Sequence, residues 1–272
     1  MPALYSVQLM LKAENNACIS PTQGHHAYAL FLNLIRQSNP ELSEKLHQSS
    51  QAKPFTLSSL QGKFKYADKS LQLIQDASYF IRLTFLNEET FCHFMDAVYQ
   101  NEKKPLRLES AIFSVQQILV NPQDSPWIRC QSFEELVEQS ALEYKIQMEF
   151  TSVTTFRSGG KRNILFPEPF VLFSSLLAKW QELSPLPFET YLSESFGQIA
   201  LTSYKLETHI LHFNGYQETG FKGKCIFTLG KDLTDADIKS LNTLADFAFY
   251  CGTGAKTTMG MGQTRRIYDK LF

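Results

Sequence analysis

The sequence predicts an α+β chain of two tandem units, each running β-α-β-β-α-β. Three observations predict it. Segments alternating at a two-residue period recur in both halves, capped amphipathic helices separate them at matching places, and 272 residues is nearly twice a common domain length of about 150. With 43% hydrophobic and 19% charged residues, each half can bury a core without metal or disulfide support, and disordered or collagen-like classes are excluded.

Tyr5, Val7, Leu9 and Leu11 mark a first strand over about 4–12. Ser20-Pro21-Thr22-Gln23 then reads as an N-cap serine, a first-turn proline and a capping-box glutamine, ahead of Ala27, Leu30, Phe31, Leu34 and Ile35 at helical spacing. Asn39-Pro40 opens a second short helix with Leu42 and Leu46 on one side, which places His47 at its end before Pro54 starts an extended segment. Residues 55–60 and 79–85 read as strands, Asn87 caps a helix carrying Phe91, Phe94 and Val98, and Ala111, Phe113 and Val115 alternate again.

Ser132-Phe133-Glu134-Glu135 is a capping box for a connecting helix, and Tyr144, Ile146, Met148 and Phe150 then alternate with charged or polar residues. Pro167 and Pro169 precede a helix containing Phe173, Leu177 and Trp180. Strands follow at about 198–213 and 219–229, Thr234 caps a further helix, and 263–268 closes the chain with a short strand. The expected architecture is two tandem ferredoxin-like (RRM-like, βαββαβ) domains with a central cleft, divided as 1–130 and 131–272.

A formal net charge of −1 argues against coating nucleic acid by overall charge, so charge must be read by position. Five cysteines without a C-x-x-C pair fit neither a disulfide framework nor a thiolate zinc site, and no histidine pattern supplies metal-ligand spacing. The expectations are a reducing, cytoplasmic location, no membrane association and no metal centre.

From Gly252 to Gly262 four glycines fall in eleven residues, Gly252, Gly254, Gly260 and Gly262, directly after a predicted helix. A nucleoside-triphosphate loop needs a strand before it and glycine before its lysine, whereas Ala255 precedes Lys256; Thr257 likewise breaks the dinucleotide pattern. From Ala248 to Tyr268 the only charged residues are Lys256, Arg265 and Arg266, so a bare backbone beside three cations is expected to bind a polyanion, with Lys256 and Arg266 in contact. Arg157, Lys161 and Arg162 surround Gly159-Gly160 in a predicted loop, a second basic clamp for RNA. Lys222 and Lys224 straddle Gly223 on one strand face, while His209 and His212 fall on opposite faces and are read as structural.

The stretch Phe249-Tyr250-Cys251-Gly252-Thr253-Gly254-Ala255-Lys256-Thr257-Thr258-Met259-Gly260-Met261-Gly262-Gln263 resembles the C-terminal glycine-rich signature of the CRISPR-associated repeat-RNA-processing endoribonucleases of the RAMP superfamily. Two further segments resemble that family. Thr151–Ser158 followed by Leu165-Phe166-Pro167-Glu168-Pro169 and Leu177-Ala178-Lys179-Trp180 is similar to its mid-chain strand, loop and helix. Asn39-Pro40-Glu41-Leu42, Leu46-His47 and Lys53–Ser58 are similar to the region that carries its active site.

The resemblance implies a metal-independent and cofactor-free endoribonuclease that cuts precursor CRISPR RNA within each repeat to release guide RNAs. The attack would come from the 2′-hydroxyl beside the scissile phosphate and leave 2′,3′-cyclic phosphate and 5′-hydroxyl ends. Such chemistry needs a proton acceptor, a proton donor and positive charge for the phosphorane. The resemblance assigns His47 as acid/base, a type of side chain suited to near-neutral proton transfer, and Lys53 as the neutralising cation. Some family members add a tyrosine from the first helix; Leu32 holds that spacing here and Tyr28 lies one turn earlier, an accessory candidate together with His26, while His25 is a weaker one. Repeat RNA, as precursor and as product, is the implied partner, with other effector subunits and a homodimer left open. Two other classes stay open: a non-catalytic RAMP subunit holding guide RNA, and a tandem ferredoxin-like small-molecule enzyme or regulator.

Overall fold

The computed structural model describes residues 3–49, 51–67, 70–101, 104–158, 162–188, 190–213 and 215–268. They form two compact units: Met1–Gln131 with Thr258–Gly260, and Ser132–Thr257 with Met261–Phe272.

In the first unit β1 (Leu4–Ala13) is followed by α1 (Gly24–Ser38), α2 (Pro40–Gln48), β2 (Phe55–Leu57), β3 (Ser78–Phe85), α3 (Glu88–Gln100), β4 (Leu106–Leu108), β5 (Ala111–Leu119) and β6 (Arg129–Gln131). The sheet order is β2-β3-β1-β5-β4, with β6 also pairing along β1. β1 and β3 are antiparallel in register from Tyr5↔Phe85 to Lys12↔Ser78. Ala17–Ile19, Ser70–Leu73 and Lys65–Ala67 make a separate three-stranded sheet.

α1 begins three residues later than Ser20 suggests, at Gly24. The Ser20 hydroxyl oxygen accepts from the Thr22 amide at 3.2 Å, closing a local turn, and Gln23 becomes the N-cap without a side-chain bond. The Gln23 side chain does not cap the helix; its Nε2 donates back to the Ser20 carbonyl at 2.7 Å. The serine satisfies its own turn rather than the helix end, a competition common for hydroxyl side chains. α2 starts as its sequence requires, with the Asn39 side chain accepting from the Leu42 amide at 2.9 Å and Pro40 at the first position.

Phe31, Phe55, Phe85 and Phe94 meet in the core of this unit, the first pair with ring centroids 4.2 Å apart and the last pair 5.2 Å. Each such burial is worth about 1.5–3 kcal/mol of transfer free energy. β1 is not half solvated as its alternation implies, because Ser6 is buried on the other face. Its hydroxyl donates to the Trp127 carbonyl at 2.6 Å and accepts from Arg82 Nε at 3.0 Å, and the Arg82 guanidinium lies 4.8 Å from the Trp127 ring.

The second unit runs α4 (Phe133–Gln139), β7 (Lys145–Thr154), β8 (Phe156–Ser158), β9 (Arg162–Ile164), α5 (Pro169–Leu183), β10 (Ile199–Phe213), β11 (Tyr216–Leu229), α6 (Asp235–Cys251) and β12 (Thr264–Ile267). Its four-stranded sheet has the order β10-β11-β7-β12. Counting only the four strands of each βαββαβ unit, both sheets read second-third-first-fourth, so the chain is two ferredoxin-like domains in tandem. Capping boxes at Ser132/Glu135 and Thr234/Asp237 start α4 and α6. Trp180 anchors the core between Phe133 and Phe247, at 5.4 and 5.0 Å, and its indole N–H donates to the Leu186 carbonyl at 2.6 Å.

Candidate active site

His47 lies in the last turn of α2 and is exposed to solvent. Leu42 and Leu46 bury the opposite side of this short helix, and the Ser43 hydroxyl donates to the Leu32 carbonyl of α1 at 2.9 Å. A third support comes from a residue that no sequence signal marked. His93 on α3 is 3.0 Å from the Ser38 hydroxyl through Nδ1 and 3.1 Å from Asn39 Nδ2 through Nε2, so it holds the residue that caps α2. A helix of nine residues has little stability of its own, and these contacts fix the direction of His47.

Tyr28 does reach this place. Its ring centroid is 6.4 Å from that of His47 and 6.2 Å from that of Phe55, and burial raises its phenol pKa. The Lys53 ammonium is 5.8 Å from the centre of the same ring. It donates to the Leu46 carbonyl, and to those of His47 and Ser49 at 3.3 Å each. These are the carbonyls a helix leaves unsatisfied at its end, and an ammonium has three donors. Lys53 is therefore first a cap for the turn that carries His47, and burial lowers its pKa. Tyr28, His47 and Lys53 form one cluster. His26, 200° around α1 from Tyr28, pairs instead with Glu109 at 3.6 Å.

In the second unit the sequence-predicted cations are not free of acidic partners. Arg266 is 5% exposed, and its guanidinium meets Glu143 at 2.6 Å, Asp246 at 3.3 Å and the Asn242 side chain, with the Tyr268 ring 4.8 Å away. It is a buried structural ion pair rather than an RNA contact. Arg265 pairs with Glu149 at 2.7 Å. Lys256 lies 3.6 Å from Glu218, which Arg157 also reaches at 2.5 Å and Asn163 at 3.1 Å. The three cations that stand unopposed along the chain all have carboxylates in space.

Around Glu218 the structure does bring two predicted contacts together. Lys256 donates to the Tyr216 hydroxyl at 2.9 Å and stands 4.6 Å from that ring, while Phe213 stacks on Tyr216 at 5.0 Å. Two cations sharing one buried carboxylate leave one positive charge beside partly exposed aromatic surface, suited to a nucleotide. Arg162 is exposed on β9, and Lys161 lies outside the described residues.

The glycine-rich loop is tightly bonded rather than bare. Thr253 donates to the Gly262 carbonyl at 2.9 Å, Ala255 to Thr155 at 2.9 Å and Gly262 to Val153 at 3.0 Å. Gly252, Gly260 and Gly262 are buried, while Gly254–Thr257 and Met259 are partly exposed. Gly254 has φ of 71°, and a β-carbon there would stand 2.2 Å from the Thr155 carbonyl oxygen. Lys179 holds the start of the loop, donating to the carbonyls of Cys251 at 3.2 Å, Gly252 at 3.0 Å and Gly254 at 3.4 Å, and burial lowers its pKa. Nothing in the sequence marked that lysine as a loop anchor, since its partners are more than seventy residues away.

Two sequence families match this chain: the CRISPR Cas6 N-terminal domain over residues 1–138, and the CRISPR-associated endoribonuclease Cas6 over residues 148–264. A CRISPR-associated endoribonuclease Cas6 from Streptococcus thermophilus is 33% identical over 117 residues, covering 42% of this chain and 46% of that protein. The chain thus aligns to less than half the length of this curated relative. Among solved structures, a Cas6 product complex superposes with a TM-score of 0.82 at 27% identity, covering 97% of this chain and 99% of the other. Thermus thermophilus Cas6 superposes with a TM-score of 0.74 at 26% identity, covering 98% and 99%. With both halves matched in order on the tandem fold and the His47 cluster on α2, the chain belongs to the CRISPR-associated endoribonuclease Cas6 family.

Proposed function

We propose that this chain is an endoribonuclease that cuts precursor CRISPR RNA within its repeats by metal-independent attack of the 2′-hydroxyl, leaving 2′,3′-cyclic phosphate and 5′-hydroxyl ends. The observation that carries this reading is an exposed histidine at the end of a firmly held helix, with a tyrosine ring and a lysine ammonium beside it. Family membership and the relative described as an endoribonuclease support it.

His47 takes the proton from the 2′-hydroxyl as the new P–O bond forms, and as imidazolium it can return a proton to the departing 5′-oxygen. Tyr28 borders the imidazole and limits water on that side; its raised pKa keeps the phenol protonated and able to donate. Lys53 holds the last turn of α2, and its charge lies close enough to stabilise the phosphorane through space. RNA outside the scissile step is held by Arg157, Lys256 and the partly exposed Gly254–Thr257 segment, with Arg162 at the rim.

The test is incubation of purified protein with its repeat RNA in EDTA, beside the same RNA carrying a 2′-deoxy substitution at the cut. Cleavage of the first alone supports the reading. Binding of both without cleavage overturns it in favour of a non-catalytic guide-RNA subunit.

A further inference from the structure

The sheet of the second unit ends on β10, the outer strand of the order β10-β11-β7-β12. This edge is 15 residues long, more than twice a common strand length of about 5–6. Its inner side pairs with β11 from Ile199↔Leu229 to Phe213↔Tyr216. Lys205 lies opposite Lys224, and a β-carbon on the neighbouring Gly223 would run into the Lys205 carbonyl oxygen, so the backbone groups of Lys205 point inward to β11. Backbone polar groups alternate sides along an antiparallel strand, so those of Tyr204, Leu206, Thr208 and Ile210 point outward. Among the described residues, none of these four has a backbone partner on that side.

A long open edge is a template for strand addition, and sheets commonly blunt one with a bulge or a lysine. β10 has a bulge between Leu201 and Ser203 and a lysine at 205, but Glu207 follows two residues later on the same face. That spacing makes the edge complementary to itself. When Leu206 is set opposite Leu206 of an antiparallel second copy, the outward backbone groups of Leu206, and those of Tyr204 with Thr208, meet as hydrogen-bonded pairs. Lys205 then stands directly opposite Glu207 of the second copy, twice by symmetry. The charged row across the joint reads Lys224, Lys205, then Glu207 and Lys222 of the second copy, so each carboxylate falls between two lysines. On the other face Tyr204 lies diagonal to Leu206 and Ile210 of the second copy; Tyr204 is 58% and Ile210 53% exposed in the single chain. Moving the centre by one residue sets Lys205 against Lys205 or Glu207 against Glu207.

From this open edge and its self-complementary charges, we propose that β10 joins two copies of this chain, their second-unit sheets continuing into one antiparallel sheet about a twofold axis at Leu206. The contact uses the same surface on both copies and closes at two. It goes beyond the RNA-processing reading and does not rest on it.

The experiment is sedimentation velocity of the intact protein from about 1 to 100 µM, free of RNA. The expected result is a dimer that forms as concentration rises. Leu206→Pro should leave a monomer with a nearly unchanged melting temperature, because the lost N–H points away from β11 and makes no bond within the unit. Lys205→Glu or Glu207→Lys alone should weaken the dimer about tenfold, since each sets like charges opposite at two places. Mixing these two variants should restore a 1:1 dimer, because each chain then carries the charges the other lacks; this arm holds even if Leu206→Pro fails to fold. A monomer at every concentration, a dimer that survives Leu206→Pro, or a mixture that stays monomeric overturns the proposal. So does association that needs RNA or a different protein. Cleavage of repeat RNA by a protein that stays monomeric would sink the dimer and leave the nuclease reading standing; a dimer that leaves repeat RNA uncut would do the opposite.

Discussion

The two units share one strand order yet differ in what their connections carry. In the first, the link from α1 to β2 holds an extra helix, α2, which presents an exposed histidine on a turn capped by Lys53. In the second, the link from α6 to β12 is a glycine-rich loop whose carbonyls are gathered by Lys179. The same sheet scaffold therefore presents an exposed histidine in one place and a close-packed backbone surface in the other. The difference teaches that chemistry lies in the connections and the lysines that hold them, while the sheets provide only position.

The contrast is most sharply tested at His47. His47→Ala should lower the single-turnover cleavage rate by about 10²–10⁴ while RNA affinity stays nearly constant, because proton transfer is lost and phosphate contacts are not. A parallel loss of affinity would mean that α2 is part of the binding surface rather than a catalytic device.

Next in size is Arg266→Met in the second unit, expected to cost about 3–5 kcal/mol in denaturant unfolding, since Asp246 would be left buried without its partner. The salt dependence of RNA binding should stay unchanged in that variant. A flattened salt slope with normal stability would restore Arg266 as an RNA contact.

Gly254→Ala should cost roughly 1–3 kcal/mol, because the φ of 71° is strained for alanine and the added carbon meets the Thr155 carbonyl. Weaker RNA binding should accompany the lower melting temperature. Unchanged values for both would show that the loop has room to relax.

The smallest expected effect is a pH shift. The protonated form of Lys53 carries the charge, and burial lowers its pKa, so that form is lost at a lower pH than for an exposed lysine. The alkaline limb of the cleavage profile should fall below the ordinary lysine range, and Lys53→Arg should move it upward. A limb that stays in place in Lys53→Arg would assign it to another group.

Much of this molecule is legible in its residues. Asn39-Pro40 foretold α2, and the boxes at Ser132 and Thr234 foretold α4 and α6, because a cap is decided within three or four residues. Ser20 misled for the same local reason, its hydroxyl having a nearer amide to satisfy at Thr22. The family pattern pointed to His47 and Lys53, and the Tyr28 ring packs beside both although its spacing differs by a turn. Counting cations from Ala248 to Tyr268 failed, because Glu143, Glu149 and Glu218 arrive from other strands and segments.

By itself the sequence determined the order of the main strands and helices, the two α/β repeats, the short helix that carries His47 in its last turn and the glycine spacing, all set by neighbours within one or two turns. Only the tertiary structure decided which cations remain available, that Lys53 and Lys179 bind helix-end carbonyls, and that His93 holds Asn39. Those outcomes depend on groups as much as about 120 residues apart in the chain, whose attraction is felt only once packing has brought them within a few ångströms.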